Sequence, residues 1–142
     1  MLTKDYIVGL VDGEGSFTVY VKNKQTSQEW KRRTRIEPKF YIKLTAEDKD
    51  VLFAVKKFFQ CGQVYYQKDS RPKHKDCYRY EVVCRKDLKE IIIPFFKENQ
   101  LKLPTKRRDF KTFCQIMNTI GRGEHLTESG LAKLYQLKQK MH

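Results

Sequence analysis

Glu14 is the residue best placed for chemistry, because of what surrounds it. Residues 6 to 17 read Tyr-Ile-Val-Gly-Leu-Val-Asp-Gly-Glu-Gly-Ser-Phe. The apolar positions predict a helix that runs out at Gly13 and Gly15, with one carboxylate held between the two glycines. A helix C-terminus presents unpaired carbonyls and the negative end of the helix dipole. A carboxylate there completes a cluster of hard oxygen ligands, Glu14 with the Gly13 carbonyl, suited to Mg²⁺ or another divalent cation. One carboxylate alone is too few to hold a catalytic metal well. Gly9 and Gly13 lie four apart on one helix face, where a missing side chain lets a second backbone come close. Two copies packed through those glycines would bring two such ends together, so the stretch predicts a dimer with paired metal sites on its axis.

The elements that must position this helix end read as strand-strand-helix, twice. Phe17, Val19 and Val21 alternate with Ser16, Thr18, Tyr20 and Lys22, the period of a half-buried strand. Phe40, Ile42 and Leu44 alternate in the same way with Lys39, Tyr41 and Lys43. Residues 47 to 59 predict an amphipathic helix stopped near Gly62. A hairpin follows, with Val64 and Tyr66 inward on one strand and Tyr78, Tyr80, Val82 and Cys84 inward on the other; Pro72 sits in its connection. Residues 86 to 96 predict a helix interrupted at Pro94, and residues 105 to 120 another. Thr127 caps a last helix running through Met141. The order is αββαββα with extra C-terminal helices: an α+β fold in one domain, residues 1–142.

Composition narrows the partners. No stretch is apolar or long enough to cross a membrane, and no signal or transit sequence precedes the motif. The chain carries 30 Lys and Arg against 17 Asp and Glu, a net +13, which points to a polyanion. A basic ribosomal-type protein would share that balance, so charge alone does not decide. Cys61, Cys77, Cys84 and Cys114 have no C-x-x-C spacing, which predicts reduced, mostly buried thiols and no zinc site. His74, His125 and His142 are isolated along the chain, and surface or capping roles are expected for them.

Ile7-Val8-Gly9-Leu10-Val11-Asp12-Gly13-Glu14-Gly15 resembles the signature of the LAGLIDADG homing endonucleases and fills all nine of its positions. The similarity is to the single-motif branch, whose members work as homodimers. Two departures occur: Ile7-Val8 stands where the signature has Leu-Ala, and Glu14 keeps the second Asp's carboxylate one methylene further out. The resemblance places Ile7, Val8, Gly9, Val11, Asp12 and Gly13 at a dimer interface, with Asp12 bonding near the helix end rather than to a metal.

That family's fold is a saddle of four antiparallel strands whose concave face covers DNA. The strand alternation then assigns Ser16, Thr18, Tyr20, Lys22, Lys39, Tyr41 and Lys43 to the binding face, with Tyr65, Gln67, Arg79 and Glu81 from the second hairpin. Arg79 could pair with a guanine edge and Glu81 accept from cytosine N4. The first strand connection is the most basic part of the sheet. Lys22, Lys24, Lys31, Arg32, Arg33, Arg35, Lys39 and Lys43 are opposed only by Glu29 and Glu37, so residues 22 to 43 carry +6 of the total. Trp30 would stack or anchor there. Phosphate contact through this run implies log K falling by about 0.9 per phosphate neutralised as log salt rises.

The activity that the resemblance implies is site-specific hydrolysis of a long, pseudo-palindromic double-stranded DNA target. Both strands would be cut across the minor groove, leaving short 3′ overhangs. Glu14 would hold Mg²⁺; Mn²⁺ is expected to substitute, and Ca²⁺ to support binding without cleavage. Relatives also place a basic residue near the phosphate before a long helix. Lys106-Arg107-Arg108-Asp109-Phe110 is similar to that place, which makes Lys106 the candidate for transition-state charge. Thr45-Ala46-Glu47-Asp48-Lys49 departs from the Gln-and-basic arrangement of some members and offers Lys49 instead. Residues 123 to 131 resemble the tail of intron-encoded members. The alternative is an RNA maturase that assists splicing of its host intron RNA with the same fold and charge; a non-enzymatic DNA-binding regulator is a further rival. The expected setting is a prokaryotic cytoplasm, or a mitochondrion or chloroplast whose genome encodes the protein.

Overall fold

In the computed structural model, which describes residues 1–21 and 36–141, the chain opens with α1 (Lys4–Glu14). Thr3 caps it by accepting the Tyr6 N–H at 3.1 Å. Gly15 ends it in an extended conformation, donating its N–H to the Val11 carbonyl. β1 (Gly15–Val21) starts at that same glycine, so helix and strand share a corner with no linker. A Cβ on Gly15 would lie 2.7 Å from Val11 Cγ1, so only glycine fits the corner.

β2 (Ile36–Thr45) pairs antiparallel with β1, matching Ser16 with Tyr41 and Thr18 with Lys39. Pro38 sits in β2 where β4 does not reach, since that pairing begins at Phe40, and its missing N–H leaves no gap in a two-sided ladder. A 3₁₀ turn (Ala46–Asp48) leads into α2 (Lys49–Phe59). The expected stop near Gly62 comes slightly earlier, at Gln60 in the left-handed region. Gly62 (φ 85°) then turns the chain into β3 (Gln63–Gln67), passing so near the Glu81 carbonyl that a Cβ would be 2.7 Å from it. β4 (Cys77–Val82) returns between β2 and β3, giving the order β1-β2-β4-β3.

Helical structure then continues as α3 (Arg85–Asp87), a π-helical turn (Leu88–Ile92) and α4 (Ile93–Glu98). The expected interruption at Pro94 does not occur. The widened π turn just before it takes the chain past the point where the proline ring would strike a carbonyl four residues back. α5 (Pro104–Gly121), a 3₁₀ turn (Glu124–Leu126) and α6 (Glu128–Gln139) complete the described chain. Thr127 caps α6, accepting the Gly130 N–H at 3.0 Å.

The helices cover one face of the sheet. Phe17, at its centre, has the rings of Phe40, Phe96, Phe110 and Phe113 at 5.0 to 5.6 Å. Ile7 and Val11 are fully buried in this core and Val8 nearly so. That corrects the expectation that these three form a dimer interface, because the same apolar stripe is what attaches α1 to its own sheet. Two further expectations are corrected. Tyr66 shares the inward face with Tyr78 and Tyr80 but is exposed, since it lies beyond the helices and turns its hydroxyl to Asp76. Cys84 falls after β4 and is exposed; Cys61, Cys77 and Cys114 are half-buried free thiols.

Candidate active site and nucleic-acid interface

Asp12 and Glu14 stand two apart at the end of α1 and have opposite surroundings. The Asp12 carboxylate is buried and accepts the backbone N–H of Lys102 at 2.9 and 3.1 Å and that of Leu103 at 3.2 Å. It thereby ties the end of α1 to the loop that opens α5. Glu14 is exposed and has no ion pair or hydrogen bond among the described residues. One acid is structural and the other is open to a ligand.

The tie brings in Lys106. Pro104 begins α5, and two residues later the Lys106 ammonium donates to the Gly15 carbonyl, across 91 positions of sequence. A half-buried cation beside the negative helix end offsets its charge, and it is held at the residue that follows Glu14 in sequence. Arg107 braces the loop by donating Nε–H to the Leu101 carbonyl at 2.6 Å. The arrangement is an exposed carboxylate, helix-end carbonyls and a fixed ammonium, the components of a site for phosphate-ester hydrolysis. Lys49 is placed differently. Its ammonium lies 5.6 Å over the Tyr78 ring, on the sheet face that carries buried Tyr80, and no contact joins it to Glu14 or Lys106.

A divalent cation fits this donor set only as a shared ligand. Among the described residues, no three His, Cys, Asp or Glu side chains gather at one place. One chain offers Glu14 and carbonyls of the last helical turn, including that of Gly13, and the remaining ligands would have to come from a second copy, DNA phosphate and water.

The open sheet face begins two residues after Glu14, at Ser16. Ser16, Thr18, Lys39, Tyr41, Lys43, Arg79 and Glu81 are half-buried there, while Tyr20, Tyr65 and Gln67 are exposed. The strand registers place all ten on one surface. Gln63, exposed and opposite Glu81, belongs to the same surface, a position that the alternation expected for this strand does not include. Lys138 of α6 reaches the rim, its ammonium 5.8 Å over the Tyr20 ring. Lys22, Lys24, Trp30, Lys31, Arg32, Arg33 and Arg35 lie outside the described residues, as does His142. In the β3–β4 connection, the Arg71 guanidinium hydrogen-bonded to Asp69 holds that carboxyl well below the usual range.

Of the interface residues expected on α1, Gly9 and Gly13 are open. A Cβ on either would meet nothing within 4 Å. Tyr6, exposed, and Leu10, half-buried, flank them at helical spacing and extend the same face.

The LAGLIDADG endonuclease family model matches residues 7–117. A probable intron-encoded DNA endonuclease 1 of Mycosarcoma maydis is 38% identical over 109 residues, covering 77% of this chain and 35% of that protein. The homing endonuclease I-ApeII of Aeropyrum pernix is 32% identical over 121 residues, 85% of this chain and 66% of that one. The chain thus spans about a third of the first relative and about two thirds of the second. Among solved structures, the homing endonuclease I-TnaI superposes with a TM-score of 0.82 at 37% identity, covering 99% of this chain and 88% of that one. The I-SmaMI LAGLIDADG homing endonuclease bound to cleaved DNA gives 0.84 at 27% identity, covering 99% of this chain and 44% of that one.

Proposed function

The chain belongs to the LAGLIDADG endonuclease family, and on that premise we propose that it acts as a homodimeric, divalent-metal-dependent, site-specific DNA endonuclease. The observation that carries this reading is the end of α1, where Glu14 has no partner among the described residues while Lys106 is fixed to the adjoining Gly15 carbonyl. A pure binding surface needs neither an unpaired carboxylate, which repels phosphate, nor a cation anchored beside it.

The open glycines support two copies. A glycine inside a helix costs roughly 1 kcal/mol relative to alanine, and nothing among the described residues needs the space at Gly9 or Gly13. The missing side chains make sense if a second α1 lies against them, with Tyr6 and Leu10 alongside. Such a pair brings two Glu14 carboxylates together, and a two-fold protein calls for a long, roughly palindromic target.

The sheet face of each copy would hold a half-site, with Ser16 and Tyr41 nearest the cutting end. Glu14 and the Gly13 carbonyl would hold Mg²⁺, which when bound supplies activated water and charge for the leaving 3′-oxygen. Lys106, oriented by Gly15, would lie against the scissile phosphate and take up its growing charge. Cuts on both strands across the minor groove, with short 3′ overhangs, follow from the family's reading of such a pair. Relatives named as probable intron-encoded endonucleases support an organellar or prokaryotic genome as the setting.

The test is cleavage of DNA carrying the uninterrupted insertion site of the protein's own gene, or end-sequencing of digested genomic DNA. Mg²⁺ should give a unique double-strand cut, and Ca²⁺ binding alone. Glu14→Gln should keep DNA affinity while cleavage falls by orders of magnitude, because a neutral amide is a poor Mg²⁺ ligand. Full activity in that variant would overturn the metal assignment, and specific binding without cutting in Mg²⁺ would make the protein a regulator.

A further inference from the structure

Arg79 and Glu81 stand two apart on β4 and share the open face of the sheet with Tyr41 of β2. The guanidinium carbon of Arg79 lies 3.7 Å from the centre of the Tyr41 ring. Arg79 Nε is 2.7 Å from Glu81 Oε1, and the two side chains are only 24% and 18% exposed. Nε is shielded from solvent and makes no aligned hydrogen bond, so charge attraction is what holds this contact. Lys43 is the cross-strand partner of Arg79, and Tyr41 that of Glu81. A carboxylate in the middle of a face meant for phosphates works against binding, and its presence needs a reason.

We propose that Tyr41, Arg79 and Glu81 form a single base-reading unit, in which Arg79 recognises a guanine in each half-site and Glu81 is a positioning residue. The proposal rests on the DNA reading above. A guanidinium is planar with five donors and no acceptor. Tyr41 covers one of its faces and Glu81 faces its Nε, which leaves the two terminal nitrogens; among the described residues neither has a hydrogen-bond partner. Two adjacent donors match O6 and N7 of guanine in the major groove, whereas adenine offers one acceptor and one donor there. Holding the arginine in place before DNA arrives lowers the entropy lost on contact. Glu81 does not itself read cytosine, because accepting from N4 would pull it away from a poorly solvated cation. This keeps the guanine contact expected for Arg79 and replaces the cytosine contact expected for Glu81.

The experiment is selection from a randomised duplex library in Ca²⁺, run with wild type, Arg79→Ala, Glu81→Gln, their double variant and Tyr41→Ala. Wild type should select guanine at one position in each half-site. Arg79→Ala should lower that preference about ten- to hundredfold and leave other positions intact. Glu81→Gln, nearly identical in shape, should relax the same base pair, and the double variant should match Arg79→Ala alone. Tyr41→Ala removes the ring beneath the guanidinium and should relax that same base pair. Relaxation by Glu81→Gln at a different base pair, or an Arg79→Ala profile identical to wild type, would overturn the unit. A wild-type protein that selects no sequence would instead overturn the DNA reading, and the unit with it.

Discussion

Asp12 and Glu14 show how surroundings divide two like residues on one helix. Asp12 accepts backbone donors from Lys102 and Leu103, while Glu14 faces outward. Asp12→Ala would leave those donors without their acceptor and should cost about 2 kcal/mol, read as a lower denaturation midpoint. Cleavage should fall as well, because the loop that presents Lys106 loses its tie to α1. Lys106→Met probes the site directly. If its ammonium offsets charge in the transition state, kcat should fall by about 10²-fold or more while DNA affinity changes little. An equal loss in binding and cleavage would make Lys106 a phosphate anchor instead.

Among the elements, the shared corner of α1 and β1 fixes the cutting end relative to the reading face. Only one peptide bond separates Glu14 from the first residue of β1, so the helix end cannot drift from the sheet. α6 is held by a different device. A Cβ on Gly130 would meet the Glu124 carbonyl oxygen at 1.7 Å, so the start of α6 sits directly against the 3₁₀ turn before it. Gly130→Ala should therefore destabilise the protein by roughly 1–3 kcal/mol through overpacking, measurable by urea denaturation. Unchanged stability would show that the turn yields freely.

For the whole molecule, the decisive question is whether two copies meet through α1. Gly9→Ala separates the chain's own needs from those of a partner. The added methyl has open space in the single chain, and helix propensity gains about 1 kcal/mol. Thermal stability of the monomer at low concentration should hold or rise, while the dimer dissociation constant rises at least about tenfold by sedimentation. A dimer of unchanged strength would remove α1 from the interface. The buried state of Ile7 and Val11 makes this variant more telling than changes there, which would damage the core itself.

The sequence alone determined what depends on local period and chemistry. Alternation over residues 16–22 and 39–44 marked the strands and their polar face, Thr127 marked the start of α6, and the glycines around Glu14 marked the helix end. Each is legible because a side chain's direction repeats with the backbone period. Tertiary structure alone decided where long-range partners fall. Lys106 meets Gly15, Asp12 meets Lys102 and Leu103, and Arg79 stacks on Tyr41, across separations that no local period encodes. The core also decided which face of α1 remains free. In sequence, the resemblance assigns Ile7, Val8 and Val11 to a partner. Only packing, which buries the apolar stripe on the nearest apolar surface, leaves Tyr6, Gly9 and Gly13 outside.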